Sequence, residues 1–303
     1  MARSRLCDEK APRRAGGEKI EAVPAGGFWL FELLMVGLLG LCLRHAATRG
    51  LHAVLTLLAG VVFGLILEWA TIEQLAAYQY GQQFFLAIYS VPLSIGMGWG
   101  IILYSAALYT DSSTLSPLLR PVADALLALH IDLTMDAVAI RWGMWDWGKG
   151  LEHDYFGVPY ENFWAWFWVI FFFSAARRLL SLERVPYRVV VAPLGAIVLG
   201  VLGVLMSNRF IVSYVPESYV LATVCALLLI ALVAVFAQRP RLVRRPHWLA
   251  RWVPLVFHGY FLGVGLFFGM FIEQPVLFCV GLLMAFLSAV LHRRALFNFH
   301  NDA

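Results

Sequence analysis

Asp132 and Asp136 lie in the stretch DLTMDAVAIRWGMWDW (132–147), together with Arg141, Asp146 and three tryptophans. Four residues apart on a helix, the two carboxyls stack on one face. Two carboxyls that close in a low dielectric cannot both ionise cheaply, so one of the pair is expected to keep its proton at neutral pH. A neutral carboxylic acid in a dry pocket can begin a reaction by protonating an alkene. Other readings stay open at this point: the pair could hold Arg141 and cap helix ends, or face a water-filled cavity.

A third acid is found in GLILEWATIEQLAAYQY (64–80), where Glu68 sits about one turn inside an apolar segment and Glu73 nearer its end. Five residues apart, these two point about 140° away from each other on a helix and need not share a partner. Glu68 is the better intramembrane acid, with Arg141 as an alternative structural partner. The run WGMWDWGKGLEHDYFGVPYENFWAWFW (142–168) adds Trp145, Trp147, Tyr155, Asn162 and Trp166. An aromatic belt at a membrane surface accounts for several of these rings but not for the acids or the amide among them. Aromatic faces also stabilise a passing carbocation. Together these groups outline an acid-bearing pocket walled by aromatic rings.

The elements that must position them are transmembrane helices. Of 303 residues 61% are hydrophobic and 14% charged, and the mean hydropathy is +0.76. That is far more apolar surface than a soluble core of this size buries. Continuous apolar runs at 28–44, 51–72, 84–109, 117–141, 161–180, 187–207, 218–238, 249–272 and 274–292 each approach the length that crosses a bilayer. The expected fold is an all-α, polytopic integral membrane helix bundle of eight or nine transmembrane helices in the cell membrane, not a barrel. Its expected limits are a polar disordered tail at 1–26, the helical domain at 27–296 and a short tail at 297–303.

Arginines fall in alternate connections: Arg44 and Arg49, Arg120, then Arg177, Arg178, Arg184 and Arg188, then Arg239 to Arg245, and finally Arg293 and Arg294. Those connections should be cytoplasmic, which puts 142–160 on the other side, facing the loop at 73–83. The basic N-terminal tail disagrees with nine full crossings, leaving the parity open. Gly195, Gly200 and Gly203, like Gly263, Gly265 and Gly269, suit close helix packing. Cys7, Cys42, Cys225 and Cys279 lack metal-type spacing and read as small apolar fillers. The net charge of +4 suits contact with anionic lipid headgroups, and no surface of nucleic-acid type is present. No phosphate-cradling loop is found, and eight dispersed histidines do not make histidine boxes.

As a set, Glu68, YQYG, VPLSIGMGW, DLTMD, WGMWDW and YFGVPYENFWAW resemble a family of membrane carotenoid-biosynthesis proteins that includes carotenoid 1,2-hydratases acting on bacterioruberin precursors and on gamma-carotene. The likeness covers roughly residues 60–170. It implies addition of water to the terminal double bond of an acyclic carotenoid end group, giving a tertiary alcohol with no cofactor and no metal. The residues it reaches are Glu68, Asp132, Asp136, Trp145, Trp147, Tyr155, Gly157, Pro159, Asn162 and Trp166. The expected roles are Asp132 or Asp136 as acid, Glu68 placing water, and Asn162 orienting. Trp145, Trp147, Tyr155, Trp166, Tyr80, Glu73 and Arg141 complete the substrate-binding set.

The family pattern has Pro after the second Asp and Gly before the final Trp, where this chain has Ala137 and Ala165. Those departures admit another isoprenoid substrate, or quenching of the same cation by cyclisation. The expected partners are a lipophilic carotenoid or isoprenoid and membrane lipids, with no oligomeric state specified. Two further classes remain. A prenyltransferase would use the D-x-x-x-D pattern to hold magnesium and a diphosphate, but needs a second such motif. A transporter would use the same acids as a proton relay.

Overall fold

The computed structural model describes residues 25–75, 77–181 and 187–293. Residues 1–24 of the expected tail at 1–26 and all of the tail at 297–303, with Cys7, Arg184 and Arg294, lie outside them, while Ala25 and Gly26 already belong to the first helix. The described residues form nine long helices and one short one: α1 (Ala25–Thr48), α2 (Leu51–Leu75), α3 (Leu93–Thr110), α4 (Arg120–Arg141), α5 (Tyr160–Leu180), α6 (Arg188–Tyr214), α7 (Glu217–Ala237), α8 (Leu249–Phe267), α9 (Met270–Glu273) and α10 (Pro275–Leu291). Seven of these are long and apolar enough to cross a membrane. The protein is an all-α polytopic membrane bundle.

The other two long helices depart from a plain apolar span for separate reasons. With 17 residues α10 is short. At 22 residues α4 is long enough, but Asp124, His130, Asp132 and Asp136 interrupt its apolar character. Neighbouring helices shield it instead: α4 packs against α3, α5, α7, α8 and α10, and Asp124, Asp132 and Asp136 are all buried. The outer helices are apolar toward the lipid, as at Leu229, Ile230 and Phe236 of α7 and Phe286 of α10.

Two expected spans are corrected. The third begins at Leu93, not at 84, because Tyr89 and Ser90 take left-handed backbone conformations. Around them a small hairpin pairs Ala87–Ile88 with Val91–Pro92, and Pro92 then enters α3. The eighth ends at Phe267, where Gly269 turns the chain at φ 69° into α9 and α10. Gly269 is therefore a break and not a packing surface.

Close packing through glycine decides the geometry on the α2 side. A side chain at Gly64 would collide with the Trp99 ring, its added carbon falling 2.6 Å from the ring atoms, so Gly64 lets Trp99 reach into the bundle beside α2. The glycines Gly195, Gly200 and Gly203 do meet neighbouring side chains closely, whereas Gly263 faces open space. Cys42 is buried, and Cys225 and Cys279 are on exposed faces.

Contacts between the connections define two ends of the bundle. At one end, Gln79–Tyr80 pairs antiparallel with Trp145–Asp146, so the loops after α2 and after α4 meet as expected. The start of α1 lies there too, since Gly27 accepts a hydrogen bond from Tyr260 at 2.9 Å and Phe28 packs on Trp142 and Phe84. The other end carries the arginines. There, Thr114 N–H donates to Arg241 O at 2.8 Å, and Arg178 donates to Asp111 and Asp124.

Candidate functional site

Glu68 projects from α2 into the bundle and is 7% exposed. Trp99 Nε1 of α3 donates to its Oε1 at 2.7 Å. Tyr80 donates to Oε2 at 2.8 Å and Tyr78 donates to the same oxygen. Both tyrosines come from the loop after α2. Their phenols are held well above the ordinary value, first by burial and then by the charge of Glu68, so they remain donors throughout the neutral range. Glu68 is thus an acceptor of three hydrogen bonds from two elements.

Asp132 and Asp136 occupy one face of α4 as their spacing predicts. The Asn162 amide, in the first turn of α5, donates to both: 2.7 Å to Asp136 Oδ2 and 3.2 Å to Asp132 Oδ2. The carboxyls also interact with each other, and Trp166 lines the cavity beside Asp136. Asp132 Oδ1 is buried with no other partner. One proton between the carboxyls would satisfy that oxygen.

A cavity of about 360 Å³ joins these groups. Glu68, Tyr80, Asp136, Trp145, Trp147, Asn162 and Trp166 line it, with Tyr78 and Trp99. The aromatic walls interlock. Trp99 and Trp166 have ring centroids 4.3 Å apart, Tyr78 and Trp147 4.6 Å, and Tyr80 and Trp145 6.0 Å. From α6, Val204, Asn208, Ile211 and Val212 complete one side, and the exposed Val212 carries that wall out to the surface.

Four expected residues are placed elsewhere. Asp132 is fully buried and does not line the cavity, to which it is joined through Asn162 and Asp136. Glu73 is exposed on the last turn of α2, rotated away from Glu68 as five residues require. Tyr155 donates to Leu133 O at 2.9 Å and stacks edge-on against Phe156 and Phe163, bracing the loop before α5. Arg141 pairs with neither Asp132 nor Asp136 nor Glu68. It donates to the carbonyls of Ala137, Phe156 and Leu151, the last at 3.0 Å, and lies 3.9 Å from Glu152. Being the last residue of α4, it curls onto its own C-terminal carbonyls and the following loop.

Trp99 and Tyr78 had no assigned role in the sequence reading, although both lie inside its quoted motifs. A lone tryptophan in the glycine-rich run IGMGWG was the available signal. A second polar knot was also missed. At the arginine end, buried Asp124 accepts from Thr110 at 2.6 Å, from Ser174, and from Arg178 at 2.6 Å. Arg178 also reaches Asp111 at 2.9 Å, with Arg177 3.6 Å and Arg120 3.8 Å from the same carboxylate. Arg177 and Arg178 outweigh burial there and hold the Asp111 carboxyl below its ordinary range. Among the histidines, His130 and His258 meet at 5.1 Å between ring centroids. Among the described residues no group of three or more His, Cys, Asp or Glu has an arrangement suited to a metal ion.

No curated protein and no solved structure matches the chain. A family model described as "Carotenoid biosynthesis protein" matches residues 27–233, a span that includes Glu68, the aspartate pair, Asn162 and the α6 wall of the cavity. The chain belongs to the carotenoid biosynthesis protein family.

Proposed function

We propose that the protein hydrates the terminal carbon–carbon double bond of an acyclic carotenoid end group, as a cofactor-independent hydro-lyase. The observation that carries this reading is the division of labour between its buried acids. Asp136 faces the cavity with Asp132 behind it, the two bridged by one amide. Glu68, also facing the cavity, is saturated by three donors.

Three donors aimed at Glu68 favour its use as an acceptor over its use as a proton source. The aspartate pair is the proton source, and Asp136 is the member that touches substrate. Its proton goes to the less substituted alkene carbon. The π electrons form the new C–H bond and leave a tertiary cation on the neighbouring carbon. Trp99, Trp145, Trp147 and Trp166 present ring faces to that cation, and Glu68 contributes the opposite charge. Water forms the C–O bond, and its surplus proton returns to the carboxylate left at Asp136. Nothing is oxidised or reduced.

A cavity of about 360 Å³ falls in the usual range of roughly 300–1,000 Å³ for ligand sites and houses an end group. The rest of a long polyene runs out along Val204, Ile211 and Val212 of α6 toward lipid. Arg141, turned into its own loop, leaves exposed Lys149 as the basic residue among the described lining, a poor match to a diphosphate.

Expressing the chain in a host that makes lycopene or another acyclic carotenoid, then weighing the pigments, tests the reading. A gain of one water, insensitive to chelator, is the expected result. Unchanged mass with a ring-closed end group would mean that the cation closes on its own chain, and unaltered pigment would overturn the proposal.

A further inference from the structure

Among the described lining residues, two buried side-chain polar atoms have no hydrogen-bond partner. Asn208 of α6 lines it, and its side-chain oxygen is buried without a hydrogen-bond partner. Trp147 lines it as well, and its indole N–H is buried and equally unpartnered. The other hydrogen bonds described in the wall are internal: Tyr78, Tyr80 and Trp99 go to Glu68, Asn162 goes to Asp136, and Thr71 donates to Leu67 O at 2.9 Å. Asn208 is the polar member of the helical stripe Val204, Asn208, Ile211, Val212 that faces the cavity.

A buried acceptor and a buried donor left unpaired are costly, and a wholly hydrocarbon ligand would satisfy neither. A hydroxyl satisfies both, because it donates one proton and accepts through its lone pairs. We propose that Asn208 and Trp147 form a hydroxyl-binding pair in this cavity, with Asn208 O accepting and Trp147 N–H donating. Given the hydration reading above, on which this rests, the hydroxyl is that of the water consumed and then of the alcohol formed. Asn208 is therefore a positioning residue for capture of the cation, separate from the acid that generates it.

The same chemistry would serve a hydroxyl already carried by the isoprenoid, and the two sources give different results. The full-length protein and its Asn208→Leu and Trp147→Phe variants are incubated in membranes, in D2O, with an acyclic carotenoid hydrocarbon or with its monohydroxylated counterpart. The wild-type protein should form alcohol from the hydrocarbon and place deuterium at the terminal group.

In Asn208→Leu, alcohol formation should fall about tenfold or more. Deuterium should still enter recovered or double-bond-shifted substrate, because protonation at Asp136 is intact. Trp147→Phe keeps an aromatic face but removes the donor together with the five-membered ring; it should shift the same ratio of alcohol to exchange. A loss confined to the hydroxylated substrate assigns the pair to a substrate hydroxyl. Wild-type alcohol yields from both variants would overturn the hydroxyl-binding pair while leaving hydration standing. Absence of both alcohol and deuterium in the wild type would instead sink the hydration reading. If Asn208→Leu fails to accumulate, Trp147→Phe and Asn208→Gln, which retains the acceptor and should recover alcohol formation, decide the question.

Discussion

The Asn162 amide nitrogen lies 2.7 Å from Asp136 Oδ2, tying the first turn of α5 to the last half of α4. Because the same nitrogen reaches Asp132, one neutral group holds two acids in register without supplying a counter-charge. Asp136→Asn should therefore lower alcohol formation by about 10²–10⁴-fold, the range for loss of a general acid, while the detergent melting temperature stays near that of the wild type. Asp132→Asn should act through Asp136 and share its direction. Pigment mass and melting measured on the same preparations check this; a collapse of stability in Asp136→Asn would assign the pair to scaffolding.

Arg178 makes the opposite forecast. It is 13% exposed and sits 2.6 Å from fully buried Asp124. Arg178→Gln leaves that carboxylate without its charge partner, a change that costs about 3–5 kcal/mol when a buried pair is broken. Yield and melting temperature should fall, and alcohol formed per folded molecule should not.

Stability should respond to pH at two edges. Asp111 is held below its ordinary range, so its contribution is complete above about pH 4 and disappears as pH falls through the native value. Tyr78 and Tyr80 are held above theirs, so their contribution is intact below about pH 10 and declines above it, where the unfolded chain ionises first. Detergent melting across the pH range should show both edges. Asp111→Asn should blunt the acid one, and Tyr78→Phe with Tyr80→Phe the alkaline one.

The two ends of the bundle should face opposite sides of the membrane. Leu118 is 85% exposed at the arginine end, and the Glu152 side chain is 85% exposed at the cavity end. Cysteine at each position, in a background with Cys7 replaced, should react oppositely with an impermeant thiol reagent added to intact cells. Equal labelling would contradict this arrangement.

Glu68, Asp132, Asp136 and Asn162 were legible because an ionisable or amide group at membrane depth is costly and the i, i+4 spacing fixes a shared face. The meeting of the loops at 73–83 and 142–160 was legible from arginine placement alone. Trp99 was not, since its reach to Glu68 depends on Gly64 of another helix, which hydropathy cannot rotate into place. Arg141 differs for a related reason: its charge suggested one of the buried acids as partner, whereas its position at a helix end gave it carbonyls and the loop acid Glu152. Asp124 and Arg178, 54 residues apart, meet only through the packing of α4 on α5, which no local pattern specifies.

The loop that walls one side of the cavity is fastened to a carboxylate inside it. Tyr78 and Tyr80 come from the segment whose Gln79–Tyr80 strand also holds Trp145–Asp146, so the hydrogen bonds to Glu68 secure both loops against the cavity. On the proposed hydration, a cation formed in the cavity would compete with those donors for the same charge. Whatever strengthens one hold on Glu68 would weaken the other, and by reciprocity the grip of the two loops on Glu68 would change with the state of the bound end group by the same factor as the binding changes with that grip.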